Sequence, residues 1–193
     1  MGYHVEPRNR QWLDNTSLLL FLAFWIIELV KPDSLPVAII SAVLAGLHLL
    51  RLAGWYTRGI WRVPLLWVLF AGYGWLIVAF VLKAAVYFPG VSPYLALHAF
   101  AYGGIGMITL GMMARVTLGH TGRDLSSPPA VLTPAFAILF AGTVIRVLMP
   151  LLDPGHYTAW IGLAQGLWII AFALFVWTFM PMWLQPRVDG KPG

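Results

Sequence analysis

The stretch Pro64–Lys83, PLLWVLFAGYGWLIVAFVLK, decides the fold, because its twenty residues carry a single charge, on the last of them. A helix of about 20 apolar residues is long enough to cross the hydrocarbon core of a bilayer. The stretch does not alternate between polar and apolar residues as a strand of a membrane barrel does. It therefore predicts one membrane-spanning helix.

The composition of the whole chain agrees with this prediction. Of its 193 residues, 60% are hydrophobic and 10% are charged, whereas a soluble domain has about 25% charged residues. The mean hydropathy is +0.81. These values exclude a water-soluble enzyme, and the aromatic content of 15% excludes a disordered chain.

Segments rich in proline, glycine and serine divide the chain into six apolar segments. We predict an all-α fold, a polytopic membrane bundle of six transmembrane helices that forms one domain over residues 1–193 in the lipid bilayer. The predicted spans are Thr16–Val30, Pro36–Ala53, Pro64–Lys83, Ser92–Leu118, Ala130–Leu152 and Thr158–Pro181.

The basic residues predict how these spans are oriented. Two of them, Lys31 and Lys83, fall on one side of the predicted bilayer and nine on the other. By the positive-inside rule, both termini are cytoplasmic and the chain is a multi-pass protein of the inner membrane. Because these residues flank spans, the net charge of +5 gives no reason to expect a nucleic-acid partner. The nine are Arg8, Arg10, Arg51, Arg58, Arg62, Arg115, Arg123, Arg187 and Lys191.

Ionisable side chains inside the predicted spans are costly in hydrocarbon, so each is a candidate site residue. At about 1.5 Å of rise per residue, His98 and Arg146 both lie about 9 Å below the same surface, and His48 lies about 18 Å deep, near the midplane. We expect Arg146 to pair with an anionic group, such as the carboxylate of Glu28 or a heme propionate. His98, Arg146, Glu28 and Lys83 together predict a polar cluster in the outer leaflet.

Histidine is the main candidate metal ligand, because the chain has no cysteine. The candidates are His98, His48 and His120. On a continuous helix, His98 and His120 are too far apart to share one ion. A neutral imidazole that is hydrogen-bonded to a neighbouring helix is the alternative for His48 and for His98. Three methionines of span four either offer thioether ligands or fill apolar gaps; they are Met107, Met112 and Met113.

Span four differs from the others because glycines are concentrated in its middle. Gly103 and Gly104 are small enough to admit a flat cofactor or, alternatively, a closely packed helix. Steps of three, four and seven residues place four side chains on the face of a cofactor-lining wall: His98, Ile105, Thr109 and Met112. The span ends in Gly119-His120-Thr121-Gly122-Arg123. Here Gly119 can form a left-handed cap, and His120 either caps the helix or forms an anion or metal site beside Arg115 and Arg123.

The segment 98–107, HAFAYGGIGM, which continues through 113–123, MARVTLGHTGR, resembles the signature of the NnrS family. Arg58 and Trp61 ahead of residues 64–67, Arg146, and the C-terminal PRVDGKPG at 186–193 add to the resemblance, which covers about residues 50 to 193. The resemblance implies an integral membrane protein that binds heme and copper and acts in the response to nitric oxide. We expect His98 as the first axial ligand to heme and His48 as the second choice. Arg146 would neutralise a propionate, and Gly103 and Gly104 would lie against the porphyrin.

The chain departs from the family in length, because family members typically have about twice as many spans, with a histidine motif and a tryptophan–threonine–glycine motif in the N-terminal half. We therefore expect this chain to correspond to the C-terminal half, completed by a homodimer or by a partner chain. The alternative function is a cofactor-free subunit for assembly, partner binding or transport. The spans contain no paired carboxylates, nucleophile triad or phosphate loop, so an enzymatic activity is not indicated.

Overall fold

The computed structural model describes residues 10–190 of the chain. Within this range the protein is helical and has no strand. Two of the basic residues used for the orientation, Arg8 and Lys191, lie outside the described residues. The helices are α1 (Gln11–Val30), α2 (Leu35–Trp55), α3 (Pro64–Ala85), α4 (Pro93–His120), α5 (Leu132–Leu152) and α6 (Tyr157–Trp183), with short 3-10 turns at Arg58–Arg62 and Pro154–His156.

All six helices are long and apolar enough to span a membrane, so the prediction of a six-helix membrane bundle is confirmed. Proline stands in the first turn of α2, α3 and α4, where its missing N–H costs no hydrogen bond. The predicted first span starts at Thr16, inside helix α1. The helix begins at Gln11, because the polar residues ahead of the apolar run continue its first turn.

Helix α3 joins two apolar cores. On one side, Val68 and Trp75 pack with buried residues of α4, α5 and α6, among them Met107 and Phe136. On the other side, Phe80 packs with buried residues of α1 and α2. Large apolar side chains elsewhere face outward, as expected of a helix bundle whose solvent is lipid.

The middle of α4 is wound as a π-helix over Ala99–Gly106. A π-helical turn is wider than an α-helical turn, and such segments occur frequently at functional sites. The segment begins directly after His98, so it changes the direction in which all later side chains of α4 point relative to this histidine.

Contacts between helices define the two ends of the bundle. We call the end where α1 begins and α6 ends the terminal end; there Asp14 contacts Arg51, and Thr117 contacts Trp183. At the opposite end, Glu28 contacts Lys83.

Candidate functional site

The candidate site is built on a contact between α4 and α5 at the opposite end. Arg146 Nη2 lies 2.5 Å from His98 Nε2, so the structure bears out the shared depth that helical rise predicts. A guanidinium only donates hydrogen bonds, and Nε2 is therefore the acceptor. The ring proton lies on Nδ1, which donates to the carbonyl oxygen of Tyr94 one turn earlier, at 2.5 Å.

The second terminal nitrogen of Arg146 makes no hydrogen bond. This atom, Nη1, is buried. No carboxylate of the described residues pairs with Arg146. Glu28, one of the two anionic partners considered for Arg146 from the sequence, does not pair with it, because Glu28 belongs to another part of the bundle and contacts Lys83. The buried donor fits a further acceptor or an anionic group at this place.

Two cavities meet at the pair. The smaller, of about 130 Å³, opens towards the opposite end and is lined by residues that include Ser92, Tyr94 and Tyr157. The larger, of about 430 Å³, lies deeper and is lined by His98, Arg146, Tyr102, Gln165, Trp168 and Ile169. Tyr102 borders it with its hydroxyl fixed to the carbonyl oxygen of Ala164 at 2.7 Å.

Glu28 is held in a separate ionic cluster. Lys83 Nζ lies 2.5 Å from Glu28 Oε1 and 2.6 Å from Asp33 Oδ1. The predicted polar cluster at this end thus exists as two sites, an acidic one between α1 and α3 and a basic one between α4 and α5. Depth alone did not distinguish them, because it does not say which helices are neighbours.

His48 lies in a different hydrogen-bond network, between α2 and α3. Its Nδ1 is 2.6 Å from the hydroxyl of Tyr73. Arg51 donates to the same hydroxyl at 3.1 Å and to Asp14 at 2.5 Å. The ring of His48 also stacks on Phe80, with centroids 5.5 Å apart. His48 is therefore placed as the alternative describes, an imidazole hydrogen-bonded to a neighbouring helix.

The three candidate histidines do not come together. No group of three or more histidine, aspartate or glutamate side chains in residues 10–190 is arranged to hold a metal ion. His98 faces α5, His48 faces α3, and His120 lies at the terminal end. Of the methionines of α4, Met107 is fully buried in the core, and Met112 is exposed at the surface, where it lines a cavity together with His120.

Gly103 and Gly104 lie against α3. A Cβ on Gly103 would come within 2.7 Å of Trp75 Cγ and of Thr143 Cγ2, and a Cβ on Gly104 would overlap Leu76. Both glycines thus serve close helix packing in this structure, the alternative that the sequence left open. The expected cofactor-lining face is also wrong, because the π-helical segment separates its members: Ile105, Thr109 and Met112 face outward, away from the cavities at His98.

The motif at 119–123 forms a Schellman cap that ends α4. The N–H of Arg123 bonds to the carbonyl of Leu118 at 2.8 Å, and that of Gly122 to the carbonyl of Gly119 at 3.2 Å. Gly122 has φ +74°, so it is the left-handed residue. The assignment of that role to Gly119 was wrong, because the helix continues one more turn.

The segment after α6 packs on this cap. Arg187 donates to the carbonyl oxygen of His120 at 3.0 Å. The N–H of Val188 donates to the carbonyl oxygen of Thr121 at 3.2 Å. Asp189 lies so close to Gly122 that a Cβ there would come within 2.7 Å of its Cγ. The two motifs of the sequence, at 119–123 and at 186–190, are therefore partners in one structure. The ion pair with Asp189 also raises the pKa of Arg187.

Sequence reasoning missed several polar side chains of these sites. The sequence does not single out Tyr73 and Tyr102, because tyrosine is common in apolar helices. One signal was available: Tyr94 and Tyr102 each lie four residues from His98, one turn away on either side. Nothing in the sequence indicates that Gln165 and Trp168 border the same cavity.

Fold and site together define a polytopic membrane protein with a half-buried histidine–arginine pair between two of its helices. The profile of a family described as "NnrS protein" matches residues 1–187, and the chain belongs to the NnrS family. The match begins at the first residue, well before the region near residue 50 where the motifs start. Searches of curated proteins and of solved structures find no match to this chain.

Proposed function

We propose that this NnrS-family protein binds heme at the His98–Arg146 pair and acts in the response to nitric oxide. Family membership supports the proposal, since the resemblance implies heme binding and a role in nitric oxide metabolism. The observation that carries it is the arrangement of the pair at the edge of a cavity: an imidazole of fixed tautomer lies beside a half-buried arginine whose buried Nη1 has no hydrogen-bond partner.

The donor set of the pair fits heme. A histidine that ligates a metal ion typically donates its other ring N–H to a carbonyl, as His98 does to Tyr94. This hydrogen bond keeps the ring proton on Nδ1, so Nε2 carries a lone pair. An iron ion binds a histidine through such a lone pair. When bound, heme supplies an iron site that nitric oxide can ligate.

Arg146 has two tasks in this proposal. It donates to Nε2 of His98, so this hydrogen bond would have to break for His98 to hold an iron ion. Its buried Nη1 has no partner, and a propionate would satisfy this donor with a charge-assisted hydrogen bond. Heme binding would therefore replace His98 by a propionate as the acceptor of Arg146.

The proposal does not extend to copper. Copper sites of proteins gather several histidine, cysteine or methionine ligands, and His98, His48 and His120 lie in separate places. In this proposal a second chain would supply a further residue to hold the heme, either another copy or a partner that supplies the other half of the family's usual length. The distribution of arginine and lysine supports placement in the inner membrane with the terminal end in the cytoplasm.

A cofactor-free assembly or transport subunit is the second candidate. It is favoured by the packing of Gly103 and Gly104 against α3 and by the protein partners that His48 and His98 already have. The absorption spectrum separates the two functions. The full chain is purified in detergent after heme-replete expression, and its Soret absorption is recorded together with its iron and copper content. Iron with a Soret band supports the heme protein, whereas a colourless, metal-free chain supports the cofactor-free subunit.

A further inference from the structure

A cavity of about 400 Å³ at the terminal end is used by neither proposed function. It lies between the last turns of α4, the loop that follows and the segment after α6. Its polar lining consists of Arg115, His120 and Arg187, and its apolar lining includes Met112, Val116 and Leu125. The cavity is therefore basic at one side and apolar at the other.

The charge of this cavity comes from Arg115. Arg187 is neutralised by Asp189, with Nη2 and Oδ2 2.6 Å apart. Arg115, by contrast, makes no ion pair or hydrogen bond through its side chain within the part of the chain that the structure describes. The imidazole of His120 is exposed beside it. The site thus presents one unpaired guanidinium and a further ring N–H, which suits a single negative charge.

The apolar side of the cavity continues along α4 into the region that faces lipid. Val116 and Met112 stand one turn apart and are 49% and 43% exposed. Between His120 and Met112 the helix rises about 12 Å, a distance that an acyl chain can follow while its headgroup stays at the arginine. Gly119 adds room, since a Cβ on it would meet nothing within 4 Å.

We infer that this cavity binds the phosphate of an anionic membrane lipid, with the phosphate at Arg115 and His120 and an acyl chain along Val116 and Met112. The net positive charge favours a lipid such as phosphatidylglycerol over a zwitterionic lipid, whose own ammonium group would repel Arg115. Basic recesses between membrane helices are known to bind anionic headgroups in this way.

The test is lipid retention by the full chain, measured by native mass spectrometry from micelles that contain equal amounts of phosphatidylglycerol and phosphatidylcholine. We expect the wild-type chain to retain phosphatidylglycerol preferentially, and Arg115→Gln to lower this retention by about fivefold. The control is Arg58→Gln, which removes an exposed arginine of the same end that does not line the cavity. This control should retain the lipid as the wild type does.

A second variant, Gly119→Leu, fills the cavity without changing any charge and should lower retention as well. It keeps the test valid if Arg115→Gln does not fold, and melting curves in detergent identify such a failure. Equal retention by wild type, Arg115→Gln and Gly119→Leu would overturn the inference, as would an equal loss in Arg58→Gln. Full displacement of the lipid by inorganic phosphate at equal concentration would make this a site for free phosphate and overturn the lipid assignment.

Discussion

The ring nitrogen Nε2 of His98, which an iron ion would need, accepts a hydrogen bond from Arg146 at 2.5 Å. The two residues are 48 positions apart in sequence and lie on the helices α4 and α5. Arg146 is the one arginine of the described spans that lies near the opposite end, and its second nitrogen Nη1 is buried without a partner. The functional account depends on this pair.

Replacing Arg146 separates its two tasks. If Arg146 holds a propionate, Arg146→Met should weaken heme retention by about tenfold to a hundredfold, because a charge-assisted hydrogen bond is lost. Arg146→Lys should retain more heme than Arg146→Met. Heme content per protein, from the Soret absorbance, is the measurement. An increase of heme in Arg146→Met would show that the arginine only blocks His98.

Gly122 should not tolerate a side chain. Gly122→Ala places a Cβ against Asp189 and requires φ +74° of a non-glycine residue, which costs about 1–2 kcal/mol. We expect a lower Tm in detergent and faster proteolysis of the segment after α6. Gly119→Ala is the matched control, because a Cβ there meets nothing within 4 Å. It should keep the wild-type Tm or raise it, and equal destabilisation by both changes would contradict the account.

Gly103 should matter for stability because of helix packing. Gly103→Ala drives a Cβ into Trp75 and Thr143, and overpacking of this kind costs about 1–3 kcal/mol. The free energy of unfolding in detergent should fall by this amount. Gly166→Ala in α6, where the added Cβ meets nothing within 4 Å, should be neutral. Loss of heme from Gly103→Ala at unchanged stability would instead indicate direct contact with a cofactor.

The start of α6 should loosen in acid. Hydrogen bonds from His156 and Trp160 hold the pKa of Asp153 below its ordinary value of 3.8. The folded protein favours the ionised carboxylate of Asp153. The contribution of this carboxylate to stability is therefore present above pH 3.8 and is lost as the pH falls through the lowered pKa. Amide hydrogen exchange over residues 157–160 should accelerate in that range after correction for the intrinsic rate. In Asp153→Asn, hydrogen exchange over these residues should be faster than in the wild type already at neutral pH, and it should not accelerate further in acid.

The sequence was sufficient to predict the parts of the structure that depend on one helix at a time. Apolar length alone predicts six spans, and the helical rise brings His98 and Arg146 to one depth. Both arguments use a fixed geometry along a single helix axis. Helix α1 begins before the predicted span, because polar residues continue the helix beyond its apolar run.

The predictions that were wrong depend on which helices are neighbours. Depth could not show that Glu28 faces Lys83 rather than Arg146, because both arrangements lie at the same end. Steps of three and four residues assume an α-helix, and the π-helical segment Ala99–Gly106 breaks that assumption between His98 and Ile105. Glycine spacing predicts a close approach, but only the fold shows that α3 makes it.

The most direct test of the account compares heme content at equal protein for the wild type, His98→Ala, His48→Ala and His120→Ala, each expressed with excess heme. The account predicts a Soret band in the wild type that is lost in His98→Ala and kept in His48→Ala and His120→Ala, because His98 is the histidine that borders the cavity with Arg146. Full heme in His98→Ala together with its loss in His48→Ala would contradict the assignment. A wild-type chain without heme would contradict the proposed function itself.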